Sequence, residues 1–294
     1  MSQLPGAAAA LGSSLTWAFA STRYAQGTRL VGSVRVNFAR ALVASPICVA
    51  VAAVTTGGLP WRGVTAPAFG WLALSVLCAY TVADGLFFFA ATRVGVPTAL
   101  CIASAYPLWA TLAAATWSHE PFTASRAAGT VLCVAGVATL VRLTGRSAAR
   151  SDGDLLGIAL AFGASLMWAV TPIAVKHGGA GLDPWQVNAV RYPLSLLALG
   201  AVLAVRRGRG GGASAPKLPW RLLLAPALVD GVAGSACYVY ALGHTDLAIG
   251  ATLTSLAPLV SVPVAVVMGE ERWSVPRFAA VAATVGGVAI LVGL

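Results

Sequence analysis

The sequence predicts an all-α integral membrane protein, with ten transmembrane helices arranged as two inverted five-helix repeats. Three observations carry that prediction. Of 294 residues, 58% are hydrophobic and only 10% charged, whereas a soluble domain is about a quarter charged. Mean hydropathy is +0.83, so the solvent is mostly lipid. A helix crosses a bilayer with about 20 apolar residues, and that ruler fits the chain ten times. Finally, the chain matches itself at an offset of 151 residues with no gap: Trp17 falls on Trp168, Asn37 on Asn188, Arg40 on Arg191, Pro107 on Pro258 and Gly136 on Gly287. Agreement of such distinctive residues at one offset marks an internal repeat. A unit with an odd number of helices sends its copy into the membrane from the opposite side, which inverts the second repeat.

The expected spans are 7–22, 36–55, 68–91, 98–117 and 123–143, then 155–175, 185–205, 220–242, 248–268 and 274–293. They group into a first unit over 1–144, a linker over 145–154 and a second unit over 155–294. No basic run precedes the first span, so it reads as a retained helix rather than a signal peptide. Trp17 in "SSLTWAF" and Trp168 in "ASLMWAV" sit inside the first span of each unit, away from an interfacial belt. Each indole either packs between helices or walls a substrate cavity with a flat face and one N–H donor.

The second span of each unit carries a charge: "RVNFAR" places Arg40, and "QVNAVR" places Arg191. Each Arg lies about 7 Å inside its span at 1.5 Å per residue, which leaves snorkelling to the headgroups open. The Asn three residues earlier shares its helical face. Asn37 and Asn188 therefore favour a polar face turned to the bundle interior, where each Arg lines a cavity or bonds to another helix.

The third spans contain Asp84 and Asp230, which are not repeat mates. An acid within a span is a candidate proton relay; a hydrogen-bonded carboxyl that fixes helix packing is the alternative. In the fourth spans, "SAYPLWA" and "SLAPLVS" place Pro107 and Pro258 where each should kink its helix and free a carbonyl. Ser104, Tyr106 and Ser255 flank these prolines as possible donors to a substrate. Hairpins "WSHEPFTASR" and "GEERWSVPR" enter the fifth spans, with Thr123 and Ser274 as N-caps and Glu120–Arg126 and Glu271–Arg277 as pairs across the turn. Ala279, Ala283 and Gly287 supply small residues for close helix approach.

Several function classes fall away. The five cysteines are scattered singly through apolar stretches, without metal-ligand or disulfide spacing, so neither metal nor cofactor is expected. The net charge of +10 lies in short gaps between spans rather than on a patch for nucleic acid. An intramembrane lipid-modifying enzyme would cluster acids or histidines, and His119, His177 and His244 are dispersed. A passive channel, or the membrane subunit of a larger pump, is the nearer alternative to a secondary transporter. A pump subunit calls for a long docking loop, and the longest basic gap, "RRGRGGGASAPK", is short and glycine-rich.

The paired five-helix units, the Arg early in the second helix, the "YPLWA" and "APLVS" prolines and the Glu-containing hairpin before a Gly-rich final helix resemble the EamA repeat. The chain is similar to ten-helix members of the drug/metabolite transporter superfamily. That resemblance implies a central cavity between the halves and residence in a bacterial inner membrane. It also implies export of an amino acid, another small metabolite or a toxic compound, with protons a common coupling ion among relatives. On this reading Trp17, Asn37, Arg40, Ser104, Tyr106, Trp168, Asn188, Arg191 and Ser255 form the pathway, and Asp84 or Asp230 carries the proton.

One expectation conflicts with the resemblance. Gaps after odd-numbered spans hold most basic residues, Arg29, Arg35, Arg93, Arg146 and Arg207 among them, while gaps after even-numbered spans hold only Arg62, Arg126 and Lys176. The positive-inside rule places the odd gaps in the cytoplasm and both termini outside, whereas members of the family usually keep both termini inside.

Overall fold

The computed structural model describes residues 3–94, 99, 102–116, 123–144, 155–209, 216–257 and 274–292, and these are helical without a strand among them. The first helix, α1, spans Leu4–Val31 and ends at Gly32 with φ +82°. That turn admits the left-handed backbone only glycine adopts freely and leads directly into α2, Ser33–Thr56. Next comes α3, a continuous rod built of Ala66–Val76, Leu77–Ala83 and Asp84–Val94. Its central segment is wound as a π-helix. The first half closes with α4, Tyr106–Thr116, and α5, Ala124–Thr144.

The second half runs α6, Leu155–Gly178, and α7, Pro184–Arg209. The rod α8 follows as Trp220–Pro226, Ala227–Gly234 and Ser235–His244, again π-wound at its centre. The chain ends with α9, Leu247–Thr254, and α10, Val275–Val292. Among the described residues, five stretches are long and apolar enough to cross a membrane on length and composition: Ser33–Thr56, Ala66–Phe87, Leu155–Gly178, Pro184–Arg207 and Trp220–His244.

Local chemistry explains where these helices begin. Thr65 caps α3 by accepting from the Ala68 N–H at 3.3 Å. Thr123 caps α5 from the Arg126 N–H at 3.2 Å, as the sequence predicts. Asp183 and Gln186 form a reciprocal capping box around Pro184: the Asp183 carboxylate accepts from Trp185 N–H, and the Gln186 amide oxygen accepts from Asp183 N–H.

Contacts between the halves obey a two-fold exchange. α2 packs on α7, α4 on α9 and α5 on α10, each a helix against its own repeat mate, while α1 packs on α8 and α3 on α6. At the α5–α10 crossing, a Cβ on Gly136 would collide with Thr284, and a Cβ on Gly287 would meet Cys133 at 2.7 Å. The two contacts exchange when the halves are exchanged, so a pseudo-two-fold axis passes through this crossing. The buried stripe on α10 is Ala280, Thr284 and Gly287 rather than the expected Ala279, Ala283 and Gly287, since Ala279 faces outward.

At one end of the bundle, Gln3 and Arg126 both bond the Asp246 carboxylate, and the Lys176 ammonium donates to the neighbouring Thr245 carbonyl at 2.8 Å. The start of α1 and the end of α6 therefore lie at the same end, and the first helices of the two halves run in opposite senses.

The prolines depart from expectation. Pro107 does not kink a continuous helix: Ser104 and Ala105 form a turn, and the helix restarts at Tyr106. Pro107 thus sits in a first turn, where its missing N–H costs nothing. Ser255 forms the matching turn after α9. Pro258, Glu120 and Glu271 lie outside the described residues, as does the linker 145–154.

Candidate functional site

A cavity of about 180 Å³ opens where the two halves meet. Of the residues singled out in the sequence, Trp17, Arg40, Asp84, Ser104, Tyr106, Trp168, Arg191, Asp230 and Ser255 line it. Asn37 and Asn188 stand behind the lining and orient it.

One hydrogen bond recurs at equivalent positions in the two halves. The Asn37 amide donates to the Asp84 carboxylate at 2.7 Å, across 47 residues of sequence. The same separation recurs in the second half, where the Ser235 hydroxyl donates to the Asn188 amide oxygen at 2.9 Å. The α2–α3 bond is thus conserved through duplication as an α7–α8 bond, with Ser235 standing where the first half has Asp84. Trp168 donates its indole N–H to Asp84 at 3.3 Å, which aims the carboxylate into the cavity.

Arg40 is 8% exposed and binds Asp230 through Nη2 at 2.9 Å. The Tyr24 hydroxyl donates to the Pro226 carbonyl at 3.0 Å and lies 3.4 Å from the same Asp230 oxygen. Arg191, 2% exposed, has no such acid among the described residues. Its Nε donates to Ser75 Oγ at 3.0 Å, and Nη1 lies 3.4 Å from the Asn188 amide oxygen. Both guanidiniums flank one ring, Tyr80, at 5.1 Å for Arg40 and 5.6 Å for Arg191. A cation over a ring face gains electrostatic attraction, more so when desolvated. That contact with Tyr80 helps hold two positive charges in an apolar interior. Neither Arg snorkels; the polar interior face suggested by the Asn–x–x–Arg spacing is what the fold uses.

The π-wound segments position these groups. Leu77–Ala83 carries Ala79 and Tyr80, and Ala227–Gly234 carries Asp230 and Gly231. The wider turn of a π segment shifts side chains off the regular helical stripe and often marks a functional site. Gly231 matters at this crossing, since a Cβ there would lie 3.2 Å from the Arg40 side chain.

Aromatic walls complete the site. Tyr106 donates its hydroxyl to the Ala251 carbonyl at 3.0 Å, fastening α4 to α9. Its ring meets Trp168 edge-on at 6.5 Å. Sequence reading missed Tyr24, Tyr80, Tyr238, Ser75 and Ser235. The one signal for Ser235 was its place opposite Asp84 in the repeat; Tyr24 and Tyr80 fall on Val175 and Gly231, so the offset could not reveal them, whereas Tyr238 falls on the aromatic Phe87. Among the described residues no group of His, Cys, Asp and Glu is disposed to hold a metal.

Comparison with known proteins fits this architecture. The profile of the EamA-like transporter family matches twice, over residues 4–142 and 155–293. No curated protein matches the chain. One solved structure, described only as "Crystal structure of protein", superposes with a TM-score of 0.71 at 20% identity, over 98% of this chain and 96% of that one. At that identity the likeness speaks for the fold alone. The family match spans nearly the whole chain and falls once on each half of the two-fold arrangement, so this multi-pass membrane protein belongs to the EamA-like transporter family of the drug/metabolite transporter superfamily.

Proposed function

We propose that the protein is a proton-coupled secondary exporter of a small amino-acid-type metabolite in a bacterial inner membrane. Its halves, 1–144 and 155–294, rock about the linker 145–154 to give alternating access. The observation that carries this reading is the charge pattern of the cavity. Arg191 and Asp84 face the same space, and among the described residues each hydrogen-bonds only neutral groups and neither is paired with the other, Arg40 acting on Asp84 through space alone. A molecule with one carboxylate and one ammonium complements both. The volume of about 180 Å³ falls below the roughly 300 Å³ at which drug-sized ligands begin to fit, which favours a small metabolite over a bulky drug.

The two acids take different roles. Asp230 is committed to Arg40, and protonating it would strand a buried guanidinium. Among the described residues Asp84 accepts hydrogen bonds only from the neutral Asn37 and Trp168, so a proton or a substrate ammonium can occupy it in turn, which suits a coupling group. In proteoliposomes, a panel of labelled amino acids should reveal a class that the wild type concentrates against its gradient when a pH gradient is imposed. Asp84→Asn should lose the gradient-driven accumulation and raise the KM for exchange of that class. Undiminished accumulation by Asp84→Asn would remove the coupling role, and linear, unsaturable flux would favour a channel.

A further inference from the structure

The duplication places two equivalent arginines in the pathway, and of the two only Arg40 forms an ion pair with a carboxylate among the described residues. Exchanging the halves carries Arg40 onto Arg191 and Asp230 onto Ala79. Both members of the second pair line the cavity. Residue 79 stops at a methyl group, so the chain sets no carboxylate at the place in front of Arg191 that Asp230 takes in front of Arg40, and the cavity reaches both Ala79 and Arg191. The hydrogen bonds of the two guanidiniums agree with this difference. Arg40 uses Nη2 to hold Asp230. Arg191 spends Nε on Ser75 and Nη1 on Asn188, and its Nη2 has no hydrogen-bond partner among the described residues. Ring contacts with Tyr80 at 5.6 Å and Tyr238 at 5.9 Å fix the Arg191 head in place.

We infer that Arg191 Nη2 and the gap above Ala79 form a carboxylate subsite, and that Asp230 on Arg40 shows the geometry in which a substrate carboxylate sits there. This deepens the proposed function and rests on its reading of the cavity. It makes Ala79 the position that decides whether Arg191 takes its anion from the substrate or from the chain. It also orders the substrate along the pathway: the carboxylate lies at Arg191, seven residues into α7 from the Gln3 end, and the remainder extends toward Asp84. By the same token Arg40 is closed to substrates, since its anion is built in.

The test uses purified full-length protein and two small probes of the same shape, propionate and its neutral isostere propionamide, at matched ionic strength. The wild-type thermal midpoint should rise saturably with propionate and not with propionamide. Ala79→Asp, which supplies the missing internal carboxylate, should raise the midpoint without any probe and abolish the propionate response. Ala79→Gly, which leaves the gap open, should retain a propionate response. If Ala79→Asp does not fold, Ala79→Leu, which fills the gap without charge, should lose the response instead. A propionate shift that survives unchanged in the folded filling variant overturns the subsite, as does a wild type that responds equally to both probes. Amino-acid counterflow in the same preparation separates the two levels: transport without a propionate response sinks only the subsite, while absence of both sinks the proposed substrate class as well.

Discussion

Arg40 and Arg191 occupy equivalent positions in a duplicated unit and meet the same difficulty, a guanidinium in an apolar interior, in different ways. Arg40 has an acid, and removing one partner of a buried ion pair strands the other at a cost of about 3–5 kcal/mol, whereas replacing both by apolar residues is often neutral. Asp230→Ala should therefore destabilise strongly, and Arg40→Met combined with Asp230→Leu should recover most of that loss. Arg191→Met should cost less than Asp230→Ala, because it removes the buried guanidinium together with its hydrogen bonds to Ser75 and Asn188 and strands no charge. Unfolding midpoints in detergent check the order; a double variant as unstable as Asp230→Ala would mean the pair acts through more than its charges. At this scale the sequence was legible where chemistry repeated. Arg and Asn announced themselves twice, whereas Tyr80, flanked by both arginines, has Gly231 as its mate and left no trace in the self-match. Asp230 and Asp84 stood out as intramembrane acids, but only the fold could show that one is paired with Arg40 and the other is not.

At the level of elements, hydropathy locates the rods but says nothing of their winding. The third rod of each half is π-wound through its middle, over Leu77–Ala83 and Ala227–Gly234. Neither stretch contains a residue pattern that separates a π segment from an α-helix, so these were invisible beforehand. The proline motif was misread for a related reason: Pro107 opens a helix after a turn instead of bending one, and sequence cannot distinguish a first turn from a mid-helix site when both flanks are apolar. Small residues on the last helix were anticipated, but the face they use was set by the partner helix. Gly136 and Gly287 sit where a side chain meets backbone and Thr284 or Cys133. Gly136→Val and Gly287→Val should each destabilise by about 1–3 kcal/mol through overpacking, and by similar amounts because exchange of the halves relates them. Gly286→Val, whose added Cβ finds only Leu132 at 3.8 Å, should be tolerated as a control. A large difference between the two symmetric variants would show that the crossing is not the pseudo-two-fold contact described here.

At the scale of the whole molecule, the offset of 151 residues contained most of the architecture before any coordinate did. It implied two units, inversion and a shared interface, and the exchange of helix pairs across that interface follows from it. What it did not contain is the side of the membrane on which each end lies. The structure sharpens that question, because the Gln3, Arg126, Lys176 and Asp246 cluster identifies one end, and Arg29, Arg35, Arg142 and Arg206 belong to helix ends that point the other way. Basic residues flanking spans are retained on the cytoplasmic side, so the arginine-rich end should face the cytoplasm and both termini the outside, against the habit of the family. Arg40, seven residues from the start of α2, would then lie toward the cytoplasm and Arg191 toward the exterior. A substrate leaving the cell would meet the closed arginine first and the open one last, which places the carboxylate subsite on the exit side. Fusing alkaline phosphatase or green fluorescent protein after Leu294 decides the matter in living bacteria. An active phosphatase and a dark fluorescent protein are expected. The reverse pattern would invert the assignment, put Arg191 on the entry side and make its subsite the point of substrate capture.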